Sequence, residues 1–284
     1  MKFGSALPMI AFKHPSELKD YAQALEGAGY DYTTLSGHFL STEPSRYPER
    51  PAPLYVGPYH EPMVTFGYLA GATTRLAFMT SILILPAFPT AVIAKQAAEL
   101  SILSGGRFIL GVAISWNPLE YEAMGADIHT RGRRLEEQIV LLRTFWTEPF
   151  VRFEGRYHKV EDVGLNRLPP QPIPIFMGSG TDEKVLRRVA HLADGWIPNG
   201  DPAEPIARLR GYLAEEQRDA TGFSFTGRLP AAGDDPAEWV AEAKRLQGLG
   251  VTHLAVGAPA GAPPAQALAK LATVRKAVGE ALGV

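Results

Sequence analysis

Cysteine is absent from the 284 residues. That excludes a disulfide framework, thiolate zinc sites, cysteine-held iron–sulfur clusters and a cysteine nucleophile. Long apolar runs are missing too: none reaches the roughly 18 residues that a membrane span requires. Neither sign of charge dominates, since 28 Lys and Arg stand against 30 Asp and Glu, a formal net charge of −2. Nothing in that balance is built to neutralise a nucleic-acid backbone. The 7 histidines show no metal-ligand spacing such as H-x-x-x-H, so no metal site is expected. No G-x-S-x-G occurs, which removes the nucleophile elbow of serine hydrolases. Met1-Lys2-Phe3-Gly4-Ser5 enters a strand-like segment without a signal-peptide core. The expectation is a soluble cytoplasmic protein.

What is present is an ordinary globular composition, 46% hydrophobic and 20% charged. Short apolar runs alternate with helical patterns. Phe3 to Leu7 reads as a buried strand, followed by a helix from Pro15 to Ala28 with Leu18, Tyr21, Ala22 and Leu25 on one face. Strands at Tyr32–Ser36, Leu76–Ile82 and Phe108–Ala113 follow, separated by helices at Glu61–Thr73 and Thr90–Leu103. The second half repeats the unit. A helix at Gly132–Trp146 precedes strands at Ile173–Met177, Gly195–Ile197, Phe223–Leu229 and Thr252–Val256, each with a helix behind it.

Crossover helices between consecutive strands imply a parallel sheet. Eight such units predict a single closed (β/α)8 barrel domain spanning residues 1–284. A doubly wound sheet is the rival, but it wants a Gly-rich first turn, and Leu7-Pro8-Met9-Ile10 has none. Insertions are expected after strand two (37–60) and strand four (114–131), both on the face where barrel active sites are built. A hairpin is expected before strand five, with Glu154-Gly155 as its two-residue turn.

Several residues occupy positions where chemistry is found. His38 follows strand two, where its ring suits proton transfer, although a histidine there can equally order a loop. Thr80-Ser81-Ile82 ends strand three, where small polar residues could let a flat ligand lie, or could simply pack the barrel. Gly178-Ser179-Gly180 precedes a helix and offers backbone N–H groups to an anion. The alternative is a tight turn with Thr181 or Asp182 as the helix cap. Arg131 could reach an anion at the barrel mouth. Glu120 and Glu122 could be general acids, but they read as a solvated helix face.

Together these residues resemble the bacterial luciferase-like superfamily, and within it the branch of coenzyme F420-dependent oxidoreductases. Ala94-Lys95-Gln96 and Leu103-Ser104-Gly105-Gly106-Arg107 before Leu110-Gly111-Val112 carry the resemblance most strongly. Glu26 to Asp31, Arg131-Gly132-Arg133, Leu142 to Trp146, Pro174 to Gly178 and Ala193-Asp194-Gly195-Trp196 add to it. It runs from Phe3 to about Ala220.

The resemblance implies a deazaflavin ring in the barrel mouth, backed by a cis peptide between Ser81 and Ile82. It implies a phosphate on Gly178, Ser179 and Gly180, His38 at the ring's reactive edge, and a homodimer through helices two and three. Phe66, Leu69, Ala70 and the Ala91–Ala98 stretch are the expected contacts. Relatives that oxidise sugar phosphates carry an acid before the histidine and a Glu after strand four. This chain has Gly37 and Trp116 there. Trp116 instead offers an apolar wall for a small apolar or aromatic substrate. The expected activity is hydride transfer with F420. An FMN-dependent monooxygenase fed by a separate reductase is the alternative, and a non-catalytic cofactor-binding protein is the second.

Overall fold

The computed structural model describes residues 1–8, 14–41, 43, 45, 59–231, 233–259 and 261–284. The apolar runs form strands buried on both faces, as expected where helices cover a parallel sheet. In chain order these are β1 (Lys2–Ala6), β2 (Tyr32–Gly37), β3 (Ala77–Ile84), β4 (Phe108–Ala113), β7 (Ile175–Ser179), β8 (Gly195–Pro198), β9 (Ser224–Pro230) and β10 (His253–Gly257). A separate pair, β5 (Val151–Glu154) and β6 (Lys159–Val163), forms an antiparallel hairpin. The eight long-range strands close in the order β1-β10-β9-β8-β7-β4-β3-β2, every neighbour parallel. The barrel expected from the alternating units is therefore present.

The helices are α1 (Pro15–Gly27), α2 (Pro62–Ala70), α3 (Thr90–Ser104), α4 (Pro118–Ala123), α5 (Arg131–Thr147), α6 (Glu183–Leu192), α7 (Ala203–Glu215), α8 (Pro236–Gly248) and α9 (Pro264–Leu282). In α1 the buried residues are Leu18, Tyr21, Ala22 and Leu25, the face set by the 3.6-residue period. Gly105 ends α3 in the left-handed region, at φ 67°. That turn delivers Arg107, whose guanidinium donates to the carbonyls of Ala70, Thr73, Leu76 and Ser104. One side chain thus ties the end of α3 to the α2–β3 connection.

The described residues form three apolar clusters. The largest lies between strands and helices, and Ile84, Ala87 and Tyr121 form another. The third fills the barrel itself, with Tyr32, Met79, Phe176 and Ile197 buried and Ile82 packed on them. His253 joins it edge-on to Tyr32 and Phe176, ring centroids 5.6 and 5.3 Å away. Burial, then the nearby charges of Lys2 and the N-terminus, push the His253 imidazole down to about 4.

Three expectations change. The hairpin turn spans four residues, because Glu154 pairs with Lys159 and Gly155 N–H bonds to the His158 carbonyl. Glu137 causes this: its carboxylate accepts the N–H groups of Arg156 and Tyr157 and contacts His158 Nδ1 at 2.6 Å. A Cβ on Gly155 would lie 2.4 Å from that carboxyl carbon. Secondly, Phe66, Leu69, Ala70, Ala94, Ala97 and Ala98 are buried in the chain's own core, so they offer no contact face. The exposed apolar side chains on α2 and α3 include Val64, Tyr68 and Val92. Thirdly, the insertion after strand four is partly helical, holding α4 and a 3-10 turn at Ile128–Thr130. Most of the insertion after strand two lies outside the described residues. Among the described residues, no helix is long and apolar enough to cross a membrane, and no metal-binding cluster is found.

Candidate active site

A cavity of about 420 Å³ opens at the C-terminal end of the barrel. Its walls come from inward-facing residues on alternating strand positions, among them Thr34 and Ser36 on β2, Met79 and Ser81 on β3, and Thr226 and Arg228 on β9. Ile197 and Tyr32, both in the inner core, form part of the lining below. The volume suits a small-molecule or cofactor ring.

The β3 wall is the one anticipated. The peptide between Ser81 and Ile82 is cis. Pairing slips on both sides of it, between Leu35 and Gly37 on β2 and between Met79 and Leu83 toward β4. The Ile82 carbonyl lies so close to β2 that a Cβ on Gly37 would be 2.7 Å from its oxygen and 3.0 Å from Leu83 Cα. Glycine at 37 is thus a packing requirement of this wall. The Ile82 side chain lies across β7, where a Cβ on Gly178 would fall 2.7 Å from its Cγ2.

Beyond Gly178 the chain turns through Ser179 and Gly180 into α6. The Ser179 hydroxyl accepts from the Trp196 indole at 2.9 Å and donates to the Gly180 carbonyl at 3.0 Å. Gly180 has open space where a Cβ would stand, and Asp182 makes no side-chain cap bond to the helix. The N–H groups at this helix start are therefore left to an incoming anion.

His38 follows the end of β2 and meets Glu120 from α4, with Nδ1 3.0 Å from Oε2. Glu120 is 2% exposed, so its reading as a solvated face is overturned. Asn117 caps α4 through the Leu119 N–H, Pro118 takes the first helical position, and this turns Glu120 inward. Burial alone would raise the Glu120 carboxyl. Hydrogen bonds from His38, from Phe39 N–H at 2.9 Å and from the Asn117 amide at 2.9 Å outweigh it and hold the group below its ordinary value. An ionised Glu120 accepts from His38 Nδ1–H, so in the neutral imidazole Nε2 is the acceptor nitrogen. Tyr59 completes the cluster, its ring 5.5 Å from that of His38; burial, then the Glu120 charge, raises its phenol.

Of the expected residues, Ser81 lines the mouth cavity, whereas His38, Ile82, Trp116, Arg131 and Gly178 to Gly180 are not among its lining residues. Trp116, beside the left-handed Ser115 (φ 52°), is 45% exposed and stands next to the Asn117 cap. Arg131 does not line the mouth cavity; its Nη1 donates to the Ile128 carbonyl at 2.8 Å. The adjacent surface does carry positive charge. His129, Arg133, Arg156, Lys184 and Arg188 line a groove of about 410 Å³ between the starts of α5 and α6. Asn117 and Tyr59 were not picked out from sequence, and Glu120 was read as a solvated face rather than as a partner of His38. The Asn-Pro-x-Glu spacing of a capped helix was the available signal.

The model of the luciferase-like monooxygenase family matches residues 1–279 of this chain. An uncharacterised protein of Mycobacterium tuberculosis is 34% identical over 90% of this chain and 89% of its own length. An F420-dependent glucose-6-phosphate dehydrogenase of Segniliparus rotundus is 32% identical over 75% of this chain and 62% of the relative. Among solved structures, an F420-dependent secondary alcohol dehydrogenase in complex with an F420–acetone adduct superposes with a TM-score of 0.80. It is 15% identical over 98% of both chains, a likeness of fold.

Proposed function

Because the chain belongs to the luciferase-like monooxygenase family, we propose that it is an oxidoreductase using coenzyme F420. It passes a hydride between the deazaflavin and a small organic substrate with an apolar or aromatic body. The observation that carries this reading is the mouth cavity, walled on β3 by Ser81, with Ile82 behind it packed against Gly178 on β7, the strand that leads into the uncapped start of α6. The Segniliparus rotundus relative supports the choice of cofactor.

When bound, the deazaflavin supplies two-electron hydride chemistry at its ring. Ser81 and Ile82 hold the ring against β3, and the inner core beneath excludes water from its lower side. The backbone of Gly178, Ser179 and Gly180 takes the phosphate, helped by the positive end of α6. Carboxylates of the cofactor tail meet the basic groove; Arg133, Lys184 and Arg188 serve there, while Arg131 braces the turn behind them. His38 is the catalytic residue: its Nε2 holds or receives the proton that accompanies hydride transfer. Glu120 positions it and stabilises the imidazolium when it forms. Trp116 supplies an apolar surface at the entrance.

By the same reading the chain is a homodimer, with Val64, Tyr68 and Val92 at its contact, and sedimentation at micromolar concentration checks that. The cofactor is tested by titrating the protein separately with F420 and with FMN, followed by fluorescence. Micromolar binding of F420 without comparable FMN binding is the expected result. Tight FMN binding alone would replace the reading with a flavin monooxygenase.

A further inference from the structure

The mouth cavity is unevenly charged. Arg228 is the one charged side chain among the described residues that line it, and no carboxylate is among them. Arg228 lies between Thr226 and Pro230, which line the same cavity at alternate positions of β9. The strand therefore turns 226, 228 and 230 toward the mouth. Among the described residues the Arg228 guanidinium has no hydrogen bond or ion pair. Below it in the same cavity, the buried hydroxyl of Tyr32 also has no partner.

Strand order gives this charge its direction. β9 stands four strands from β3 whichever way the closed barrel is counted. Arg228 thus belongs to the wall opposite Ser81–Ile82. A ring lying on the β3 wall turns its free face toward β9, and a substrate must lie between the two. An unpaired guanidinium at that place is a fork of donors matched to a planar, two-oxygen acceptor. Pro230 on the same face of β9, and Ala255, which pairs with Arg228 from β10, line the cavity, are apolar and suit the rest of a small hydrophobic molecule.

We propose that Arg228 is the specificity-determining residue for a substrate carboxylate, so that the substrate is a small apolar or aromatic organic acid. This rests on the F420 reading only in taking the β3 wall as the seat of the ring. Arg228 contacts the substrate's carboxylate oxygens and leaves the reacting carbon to the ring and His38. Arg228 is exposed at the mouth, so a neutral analogue of the same shape leaves it to water, forgoes the charge-assisted fork and binds more weakly.

The test uses three acid–amide pairs of equal shape: benzoate and benzamide, phenylacetate and phenylacetamide, hexanoate and hexanamide. Each is titrated calorimetrically into the full chain, with and without F420, for the native protein and for Arg228→Met and Arg228→Lys. In the native protein at least one acid binds about tenfold or more tighter than its amide. That preference disappears in Arg228→Met, is partly kept in Arg228→Lys, and weakens with added salt. F420 affinity stays within about twofold throughout, because the guanidinium supports no other side chain. The proposal is overturned by a native protein that prefers no acid over its amide, or by an Arg228→Met variant that keeps the preference. It is equally overturned if Arg228→Met loses F420 rather than the acid. Failure of the native protein to bind F420 sinks the cofactor reading alone, since the acid–amide comparison is then scored on the cofactor-free chain.

Discussion

The carboxylate of Glu120 stands 3.0 Å from Nδ1 of His38 and so decides which ring nitrogen is left for other work. Two residues 82 positions apart in the chain are joined here through the cap of a six-residue helix. The contact turns a strand-end histidine into an oriented one. Without Glu120, either nitrogen could carry the proton and the ring could swing.

Removing each partner should separate these roles. His38→Ala lowers turnover by about 10²-fold or more while F420 affinity is kept. Glu120→Gln lowers turnover less, by about tenfold, because the imidazole remains but its tautomer is no longer enforced. The diagnostic readout is the pH profile of kcat, whose acid limb moves in Glu120→Gln. A variant with native turnover and an unmoved profile would reduce Glu120 to a loop anchor.

The basic groove predicts dependence on the cofactor's tail. Charge reversal in Arg133→Glu with Lys184→Glu weakens binding of long-tailed F420 by about tenfold or more at low salt. The deazaflavin chromophore without its phosphate and tail binds both proteins alike. Fluorescence titrations of the two ligands at two ionic strengths check this. Equal loss for both ligands would mean that the reversal has disturbed the mouth itself.

Gly37 is a packing requirement of the β3 wall. The Cβ of Gly37→Asp would lie 2.7 Å from the Ile82 carbonyl. Overpacking of that kind costs about 1–3 kcal/mol. The variant should unfold at lower urea concentration and bind F420 more weakly. Unchanged stability would show that the β2–β3 contact yields easily.

His253 predicts an acid-sensitive stability. Its folded-state value near 4 lies below the ordinary 6.5, so between those pH values the unfolded chain binds the extra proton. This contribution is fully favourable to the folded state above about pH 6.5 and is lost as the pH falls toward 4. The loss reaches roughly 3 kcal/mol. Comparing urea midpoints at pH 7.5 and 4.5 for the native protein and His253→Gln isolates the effect. A variant with the same acid slope as the native chain would assign the sensitivity to other groups.

Much of this architecture was legible in the sequence because burial imposes simple periods. β4 begins and ends at Phe108 and Ala113 as the apolar run does, and α1 buries the four residues its period selects. The strand-end positions of His38, Ser81 and Gly178 follow from that alternation. Glu120 was illegible for a different reason. A carboxylate in Pro-Leu-Glu-Tyr looks solvated until its long-range donors are known, and His38 and Phe39 lie more than 80 residues away. The hairpin turn failed similarly, because Glu137, 18 residues before Gly155, sets its length. Local pattern encodes which face is dry; it does not encode what meets a polar group across the fold. Arg228 belongs to the same class, since only strand order sets it opposite Ser81.

The closed strand order has a consequence for how the chain reaches its native state. The seam joins β1 to β10, and Ser5 Oγ donates to the Val256 carbonyl across 251 residues. Loop closure of that span costs entropy before any pairing across the seam repays it. During synthesis β1 is made before β10 and waits for this neighbour while β2 to β9 are made. Until then β1 and whichever strand was made last present open edges to other chains. The vulnerable interval of this protein thus runs from the making of β1 to the docking of β10, the step that closes both edges at once.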